Sequence, residues 1–286
     1  MWKINELEKA ANCAIKAARQ AWQQTRHYYK GEYTIHNKSD GPVTEADRLA
    51  NHVILELLEE EFPPSQCGYL SEEIIDDKVR FDRKYLWIID PIDGTEDFIK
   101  GTDNFAMHIG LSGLMDDKFI PLVGVVYHPV RDRLFFAIKG EGAYVEEYSE
   151  KKELIRSKIH VSGIDDISHM RAVISYTHRT RRLTRLMERL PIKEFYTLGS
   201  MGLKMCEVAS GKAEIYVNIS SGKFKEWDIC APHLIVEESG GQFTDLEGYP
   251  IYYNKLIYIQ QIGVLASNAM CHQPLLNLIN KNLVEL

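Results

Sequence analysis

Residues 87–98 read WIIDPIDGTEDF, an apolar run that passes directly into acidic and turn-forming residues. Residues 86–89 have the composition of a buried strand, and Pro91 is predicted to end the hydrogen-bonded pairing of that strand. Asp90 and Asp93 would then emerge together at its carboxyl end. Paired carboxylates at such a position are typical of a site for a hard divalent cation.

The residues after Asp93 bear on phosphate binding. Gly94 and Thr95 are predicted to open a helix, and a helix start offers unpaired N–H groups and a positive dipole end to a phosphate oxygen. A plain turn is the alternative, because Asp-Gly pairs are common in turns and Asp90 could simply cap the helix. A turn requires neither the second aspartate nor the threonine, so the whole string favours metal-assisted phosphoryl chemistry.

Length, composition and charge exclude several classes of protein. A chain of 286 residues with 45% hydrophobic content can bury a large core, as one domain or as two closely packed halves. The net charge of −7 argues against nucleic-acid and membrane-surface partners. The five cysteines are odd in number and form no CxxC pair, which disfavours disulfides and zinc. Without a signal-like or membrane-spanning run, we expect a cytoplasmic protein.

The pattern along the chain predicts an α/β protein with an α+β half at residues 1–150 and an α/β half at residues 151–286. Residues 4–29 and 44–62 are predicted to be amphipathic helices, the second capped by Thr44. Antiparallel strands are predicted at 105–114, 122–127, 133–138 and 142–145, and the polar stretch 146–160 is predicted to end this pattern. The second half is predicted to alternate strand 171–175, helix 179–189, strand 195–198, helix 200–210, strand 213–217, helix 227–239, strand 262–266 and helix 269–283.

Two carboxylates are a sparse ligand set for a hard cation beside a phosphate, so further acids are expected elsewhere in the chain. Glu72 and Glu73 follow a short apolar run, although a solvated loop would have the same composition. Asp228 stands where a helix is predicted to begin, and helix capping is its alternative role. Asp47 lies in the first turn of the second helix, where a carboxylate also interacts favourably with the helix dipole.

The string DPIDGTEDF at residues 90–98 resembles the signature of the inositol monophosphatase superfamily, which comprises Mg²⁺-dependent, lithium-sensitive phosphatases of small phosphorylated metabolites. The glutamates after Ser71 resemble the motif that precedes this signature, and the segment from Trp227 to the Gly240-Gly241 pair resembles the second signature. The resemblance extends over nearly the whole chain. It implies the layered α-β-α-β-α sandwich of the inositol monophosphatase and fructose-1,6-bisphosphatase type.

The resemblance also implies a metal-ligand set. One Mg²⁺ would lie between Glu72, Asp90 and the Ile92 carbonyl. A second would lie between Asp90, Asp93 and Asp228. Glu73 would support a weaker third ion.

The catalytic roles are likewise implied by the resemblance. Asp47 would orient the Thr95 hydroxyl towards an attacking water, and Glu72 together with the Thr95/Asp47 pair would take the proton from that water. The backbone N–H groups of Gly94 and Thr95 would bind phosphate oxygens. No covalent phosphoenzyme is implied.

Substrate choice is expected to depend on the C-terminal half. Local similarity to bacterial 3'(2'),5'-bisphosphate nucleotidases of the CysQ type is found in four segments: PVTEAD at 42–47, DFIK at 97–100, VISYTHR at 173–179 and GSMGLK at 199–204. This similarity implies adenosine 3',5'-bisphosphate as the substrate, with His178 against the adenine and Ser200 also in contact with the substrate. Lys204, Lys223 and Lys225 would supply positive charge for the second phosphate. Helix capping is the alternative role for His178.

The sequence bears on three other functions. An inositol monophosphatase or a broad-specificity sugar and polyol phosphatase is the nearest alternative. A non-catalytic metabolite-binding relative is disfavoured because all the acids of the site are present. A nucleotide-dependent oxidoreductase would need a GxGxxG motif after the first strand, and the chain has none. Relatives imply a monomer or a homodimer.

Overall fold

The computed structural model describes residues 2–38, 41–176, 180–220, 222 and 224–285. The helices are α1 Ile4–Thr25, α2 Glu45–Glu61, α3 Thr95–Ile99, α4 Arg181–Arg189, α5 Met201–Ala209, α6 Glu226–Glu238 and α7 His272–Val284. Within these described ranges, none of the helices has both the length and the apolar character needed to cross a membrane.

The strands follow the same chain order. They are β1 Ile35–Lys38, β2 Gly41–Thr44, β3 Gly68–Ser71, β4 Tyr85–Asp93, β5 Ala106–Met115, β6 Lys118–His128, β7 Arg133–Ile138, β8 Gly142–Tyr148, β9 Leu154–Ile159, β10 Arg171–Ser175, β11 Glu194–Leu198, β12 Ile215–Asn218, β13 Phe224–Lys225, β14 Gln242–Asp245, β15 Ile259–Gln260 and β16 Val264–Ser267.

Strands β3 to β9, at residues 68–159, form a seven-stranded sheet in the order β3-β4-β5-β6-β7-β8-β9. Strand β3 runs parallel to β4, and each later neighbour is antiparallel. Helices α1 and α2 cover one face, where alanines of α1 pack with Trp87 and Ile89 of β4. The amphipathic pattern of α1 and α2 therefore predicts the outer helical layer correctly.

The second half adds a mixed five-stranded sheet in the order β11-β10-β12-β16-β14. Helices α5 and α6 are almost entirely buried between the two sheets, and α4 and α7 pack on the outer face of the smaller sheet. The layers therefore follow one another as α-β-α-β-α. This order confirms the fold class that the resemblance implies.

Strand β4 continues through Pro91, so the prediction that this proline ends the strand is wrong. The pairing with β5 shifts its register between Asp90 and Asp93. Pro91 lies within this irregularity, where the regular ladder is interrupted and a backbone N–H is not required. The irregularity allows both aspartates to remain on one strand close to its carboxyl end.

Strand β9 lies in the polar stretch that was predicted to end the antiparallel pattern, and that prediction is also wrong. Residues Leu154–Ile159 pair antiparallel with β8, although all but the last of them are exposed. An edge strand in contact with water needs no buried face, so it lacks the apolar alternation that marks an internal strand.

A pair of glycines brings α6 close to the large sheet. Gly110 of β5 and Gly124 of β6 are direct partners in the ladder. A Cβ atom on Gly110 would lie 2.8 Å from Cys230 Sγ, and one on Gly124 would overlap the backbone of Ala231. Helix α6 therefore packs against bare backbone, which places its first turn beside the end of β4.

Candidate active site

Three carboxyl groups converge where β4 meets the start of α6. Asp90 and Asp93 come from the last residues of β4, and Asp228 is the third residue of α6. One carboxyl oxygen from each residue lies within 4.8 Å of the other two. Asp90 is buried, whereas Asp93 and Asp228 are partly accessible. We call these residues the aspartate trio.

The environment of the aspartate trio disfavours negative charge. Burial raises the pKa of Asp90 well above its usual range, and the charges of Glu72 and Asp93 raise it further. Burial, followed by the charge of Asp93, raises the pKa of Asp228 to about 7. A bound divalent cation would relieve this repulsion. A donor set made only of oxygen fits a hard cation such as Mg²⁺, so these residues suit the implied metal.

Glu72 reaches this region because β3 runs parallel beside β4. The backbone N–H of Glu72 donates to the Ile89 carbonyl at 3.2 Å, one residue before Asp90. Burial raises the pKa of Glu72 to about 8, and the charge of Asp228 contributes next. Glu72 and Glu73 both line the cavity described below. Among the described residues, the carboxyl oxygens that lie within 4.8 Å of one another belong to the aspartate trio, and Glu72 and Glu73 lie outside that cluster.

Thr95 at the start of α3 and Asp47 in the first turn of α2 are in direct contact. The Thr95 hydroxyl lies 3.1 Å from Asp47 Oδ1 and 3.2 Å from the Ile92 carbonyl oxygen. Asp47 Oδ2 accepts from the Thr44 hydroxyl at 2.6 Å and from the Thr44 N–H at 2.7 Å. The expected cap at Thr44 is present, and Asp47 combines helix capping with the contact to Thr95. Burial raises the pKa of Asp47 to about 6.

Gly94 makes the turn from β4 into α3. Its φ of 97° lies in the left-handed region, which favours glycine. Thr95 follows as the first residue of α3, as predicted, and both residues line the cavity. The turn therefore places backbone of the signature segment at the cavity wall.

The start of α5 contacts Asp93 directly. The Ser200 hydroxyl donates to Asp93 Oδ2 at 2.5 Å and also accepts from the Leu203 N–H as the N-cap of α5. The Gly202 N–H donates to the same Asp93 oxygen at 3.2 Å. Residue His108 of β5 places Nε2 3.2 Å from it as well. The sequence reasoning missed His108, whose one signal is a basic residue in an otherwise apolar strand.

Of the other residues predicted to bind substrate, Lys204 and Lys225 line the cavity. Lys204 is buried, and its ammonium group donates to the carbonyls of Gly199 and Leu198. Burial lowers the pKa of Lys204 to about 8, while the charge of Asp93 opposes this effect. The Lys225 ammonium lies 5.2 Å from the centre of the Trp227 ring. Two predicted residues, His178 and Lys223, lie outside the described residues.

A cavity of about 620 Å³ lies between the two halves of the chain. The first half contributes acidic and backbone groups of the signature region, and the second half contributes the ends of β10 and β12 and the start of α4. Its apolar lining includes Leu183, Val217 and Ile219. Among the described residues, its charged lining is made of Glu72, Glu73, Asp93, Glu96, Asp97, Lys204, Lys225 and Asp228. One cavity thus combines the acids with an apolar wall.

Comparison with known proteins gives a family match over nearly the whole chain. The model of the inositol monophosphatase family matches residues 6–285. Inositol monophosphatase 1 of Solanum lycopersicum is 30% identical over 255 residues, covering 87% of this chain and 88% of that protein. The 3'(2'),5'-bisphosphate nucleotidase CysQ of Aggregatibacter actinomycetemcomitans is 31% identical over 244 residues, covering 84% of this chain and 86% of that protein.

The fold is also found among solved structures. An IMPase of Thermotoga maritima superimposes with a TM-score of 0.78 at 24% identity, covering 97% of this chain and 99% of that chain. The motifs, the layered architecture and the matched family model all agree. The chain therefore belongs to the inositol monophosphatase family, whose members are phosphatases of small phosphorylated metabolites.

Proposed function

We propose that the protein hydrolyses the 3'-phosphate of adenosine 3',5'-bisphosphate to give AMP and phosphate, with Mg²⁺ as the cofactor. The observation that supports this substrate is that Leu183, Val217 and Ile219 are among the residues that line the cavity, together with Glu72, Asp93 and Asp228. A nucleobase gains free energy by packing against such apolar side chains. An inositol ring carries oxygen on every carbon and gains much less.

The size and charge of the cavity are compatible with a nucleotide. Its volume of about 620 Å³ lies inside the range of roughly 300–1,000 Å³ that is usual for small-molecule sites. Lys204 and Lys225 supply positive charge to a lining that is otherwise strongly acidic. We assign both lysines to substrate binding, because a bisphosphate needs positive charge beyond the metal site. We assign His178 to the adenine. The Ser200 hydroxyl is fully buried and is engaged by Asp93 and by the Leu203 N–H, so its part in substrate binding is indirect.

The chain offers ligands for two or three cations. In our proposal Glu72, Asp90 and the Ile92 carbonyl hold one ion, and the aspartate trio holds a second. Glu73 supports a third. Bound Mg²⁺ supplies Lewis-acid activation of water and neutralisation of phosphate charge.

The neighbouring side chains orient the water and accept its proton. The Thr95 hydroxyl carries a single proton, so it donates either to Asp47 or to the Ile92 carbonyl. If the Ile92 carbonyl were to hold a cation, the Thr95 hydroxyl would donate to Asp47, and the Thr95 oxygen could then accept a proton from a water. We assign proton acceptance to Glu72 acting with this pair. The N–H groups of Gly94 and Thr95 are assigned to phosphate oxygens.

Inositol monophosphatase activity is the second candidate. It is supported by the 30% identity with the Solanum lycopersicum inositol monophosphatase over 87% of the chain. Both candidates use the same acids. They differ in the part of the substrate that lies away from the scissile phosphate.

Parallel assays separate the candidates. Phosphate release would be measured with Mg²⁺ from adenosine 3',5'-bisphosphate, inositol 1-phosphate and fructose 1,6-bisphosphate, each with and without Li⁺. We expect kcat/KM to favour the nucleotide by about 100-fold, or about 2.7 kcal/mol in transition-state binding, and Li⁺ to inhibit. Preference for inositol 1-phosphate, or equal rates, would refute the nucleotide assignment.

A matched variant connects the activity to the site. Asp93→Asn preserves the shape of the side chain but removes its charge, and we expect turnover of every substrate to fall by orders of magnitude. An unchanged rate in this variant would contradict the metal assignment. A wild-type protein that binds these metabolites without hydrolysing them would indicate a non-catalytic relative.

A further inference from the structure

We propose that His108 is a positioning residue of the metal site: its imidazole holds Asp93 in the orientation that leaves one carboxyl oxygen available to the cation. This inference rests on the metal-dependent function proposed above. It concerns a residue outside the ligand set that the family resemblance implies, and it follows from the contacts of Asp93.

Three polar groups surround a single oxygen of Asp93. The Ser200 hydroxyl and the Gly202 N–H donate to Oδ2 at 2.5 and 3.2 Å, and His108 Nε2 lies 3.2 Å from the same oxygen. Within the described residues, no hydrogen bond to Asp93 Oδ1 is observed. A carboxylate with one oxygen held by two donors and packed against an imidazole nitrogen has a restricted rotation, which leaves the other oxygen available to a cation.

The position of His108 is itself closely constrained. His108 is fully buried, and in the β4–β5 ladder it is the direct partner of Asp90. A Cβ atom on Gly202 would overlap its ring, so the first turn of α5 can reach Asp93 only because residue 202 is a glycine. His108 therefore lies between strand β4, which carries Asp90 and Asp93, and the first turn of α5, which donates a hydrogen bond to Asp93.

The immediate surroundings of His108 contain Asp93 and the backbone next to Asp228, two members of the aspartate trio. Burial is the largest influence on its pKa and lowers it, whereas the Asp93 charge and the Trp227 backbone act in the opposite direction. Trp227 immediately precedes Asp228 in α6. The imidazole thus lies close to the backbone that presents one aspartate and to the carboxylate of another. Such outer contacts commonly set the orientation and the metal affinity of a ligand.

A purely structural role for His108 predicts a different result from a positioning role. Any buried histidine stabilises the fold through packing and hydrogen bonding, so its loss lowers the melting temperature. A positioning residue also affects cation affinity, and a donor group of suitable reach restores that affinity. Cation affinity measured without substrate is therefore the discriminating observable.

The test compares His108→Leu, which keeps apolar bulk but removes the N–H, with His108→Gln, which restores an N–H donor. His272→Leu is the matched control, because His272 is a buried histidine bonded to Thr244 and Ser267 in the outer part of the second half. Mn²⁺ affinity would be titrated by electron paramagnetic resonance without substrate. Melting temperatures in EDTA, and kcat and KM at saturating Mg²⁺, would be measured in parallel.

We expect His108→Leu to weaken Mn²⁺ binding by about 10- to 100-fold, and His108→Gln to recover most of that loss. The control should lose thermal stability but keep the wild-type Mn²⁺ affinity. Wild-type affinity in His108→Leu would overturn the inference, and so would an equal loss in all three variants. If the wild type binds Mn²⁺ but hydrolyses none of the three substrates, the proposed function fails while the role of His108 is still decided by these affinities.

Discussion

Replacing Gly124 with alanine should disturb the metal site from a distance. A Cβ atom there would lie 3.1 Å from the carbonyl carbon of Ala231 and 3.2 Å from its Cα, and it would overlap the carbonyl oxygen. Carbon atoms in favourable contact are about 3.5–4.0 Å apart, so α6 must move away by roughly 1 Å. The overlapping atoms belong to the backbone of α6, so the overlap cannot be relieved by moving a flexible side chain.

The expected effects follow from that displacement. Overpacking of this kind costs about 1–3 kcal/mol, which for a chain of this size lowers the melting temperature by roughly 2–10 °C. Asp228 lies three residues before Ala231 in the same helix. A misplacement of about 1 Å at a reacting site can lower kcat/KM by about 100-fold. Differential scanning calorimetry and phosphate release measure the two effects.

The control is Gly163→Ala, because a Cβ atom at Gly163 would meet nothing within 4 Å and the backbone there is not left-handed. This change should leave activity intact and alter stability by less than about 1 kcal/mol. If Gly124→Ala melts and turns over like the wild type, the conclusion that α6 packs against bare backbone is incorrect.

Three further predictions concern the proton path and the dependence on pH. Thr95→Val and Asp47→Asn should each lower kcat by about 100- to 10,000-fold with little change in KM, and steady-state kinetics measures both parameters. The double variant should be scarcely slower than the worse single variant, since the two residues act as a unit; additive losses in a double-mutant cycle would argue against their coupling. Burial lowers the pKa of His272 to about 4, below the ordinary value of 6.5. The unfolded chain therefore binds the extra proton first, and this contribution to stability is complete above about pH 6.5 and is lost as the pH falls towards 4. Urea unfolding at pH 7 and pH 5 should show a smaller fall for His272→Leu than for the wild type, and equal falls would contradict this assignment.

The sequence predicts local structure correctly where interactions between residues close in the chain determine that structure. The cap at Thr44, the turn at Gly94 and the helix that begins at Thr95 all depend on neighbours within a few residues. Such features follow from side-chain capping and from the conformational freedom of glycine. Their prediction therefore needed no knowledge of the tertiary fold.

Prediction failed where the strand signal depends on the rest of the sheet. The exposed edge strand β9 has no apolar alternation, and Pro91 is tolerated only because the β4–β5 register shifts around it. Neither fact can be read from one strand alone, because both depend on the partner strand and on the side that faces water.

The sequence by itself determined the kinds of chemical group and their local presentation. An acid follows a strand at Glu72, acids lie near the end of a strand at Asp90 and Asp93, and a glycine precedes the helix at Thr95. The tertiary structure alone decided which groups meet. Asp93 lies 3.2 Å from His108 Nε2 of a neighbouring strand, and it accepts a hydrogen bond from Ser200, the N-cap of a helix 107 residues later in the chain. The physical reason is that hydrogen bonds orient a carboxylate only at short range, and the packing of distant segments brings the donors within that range.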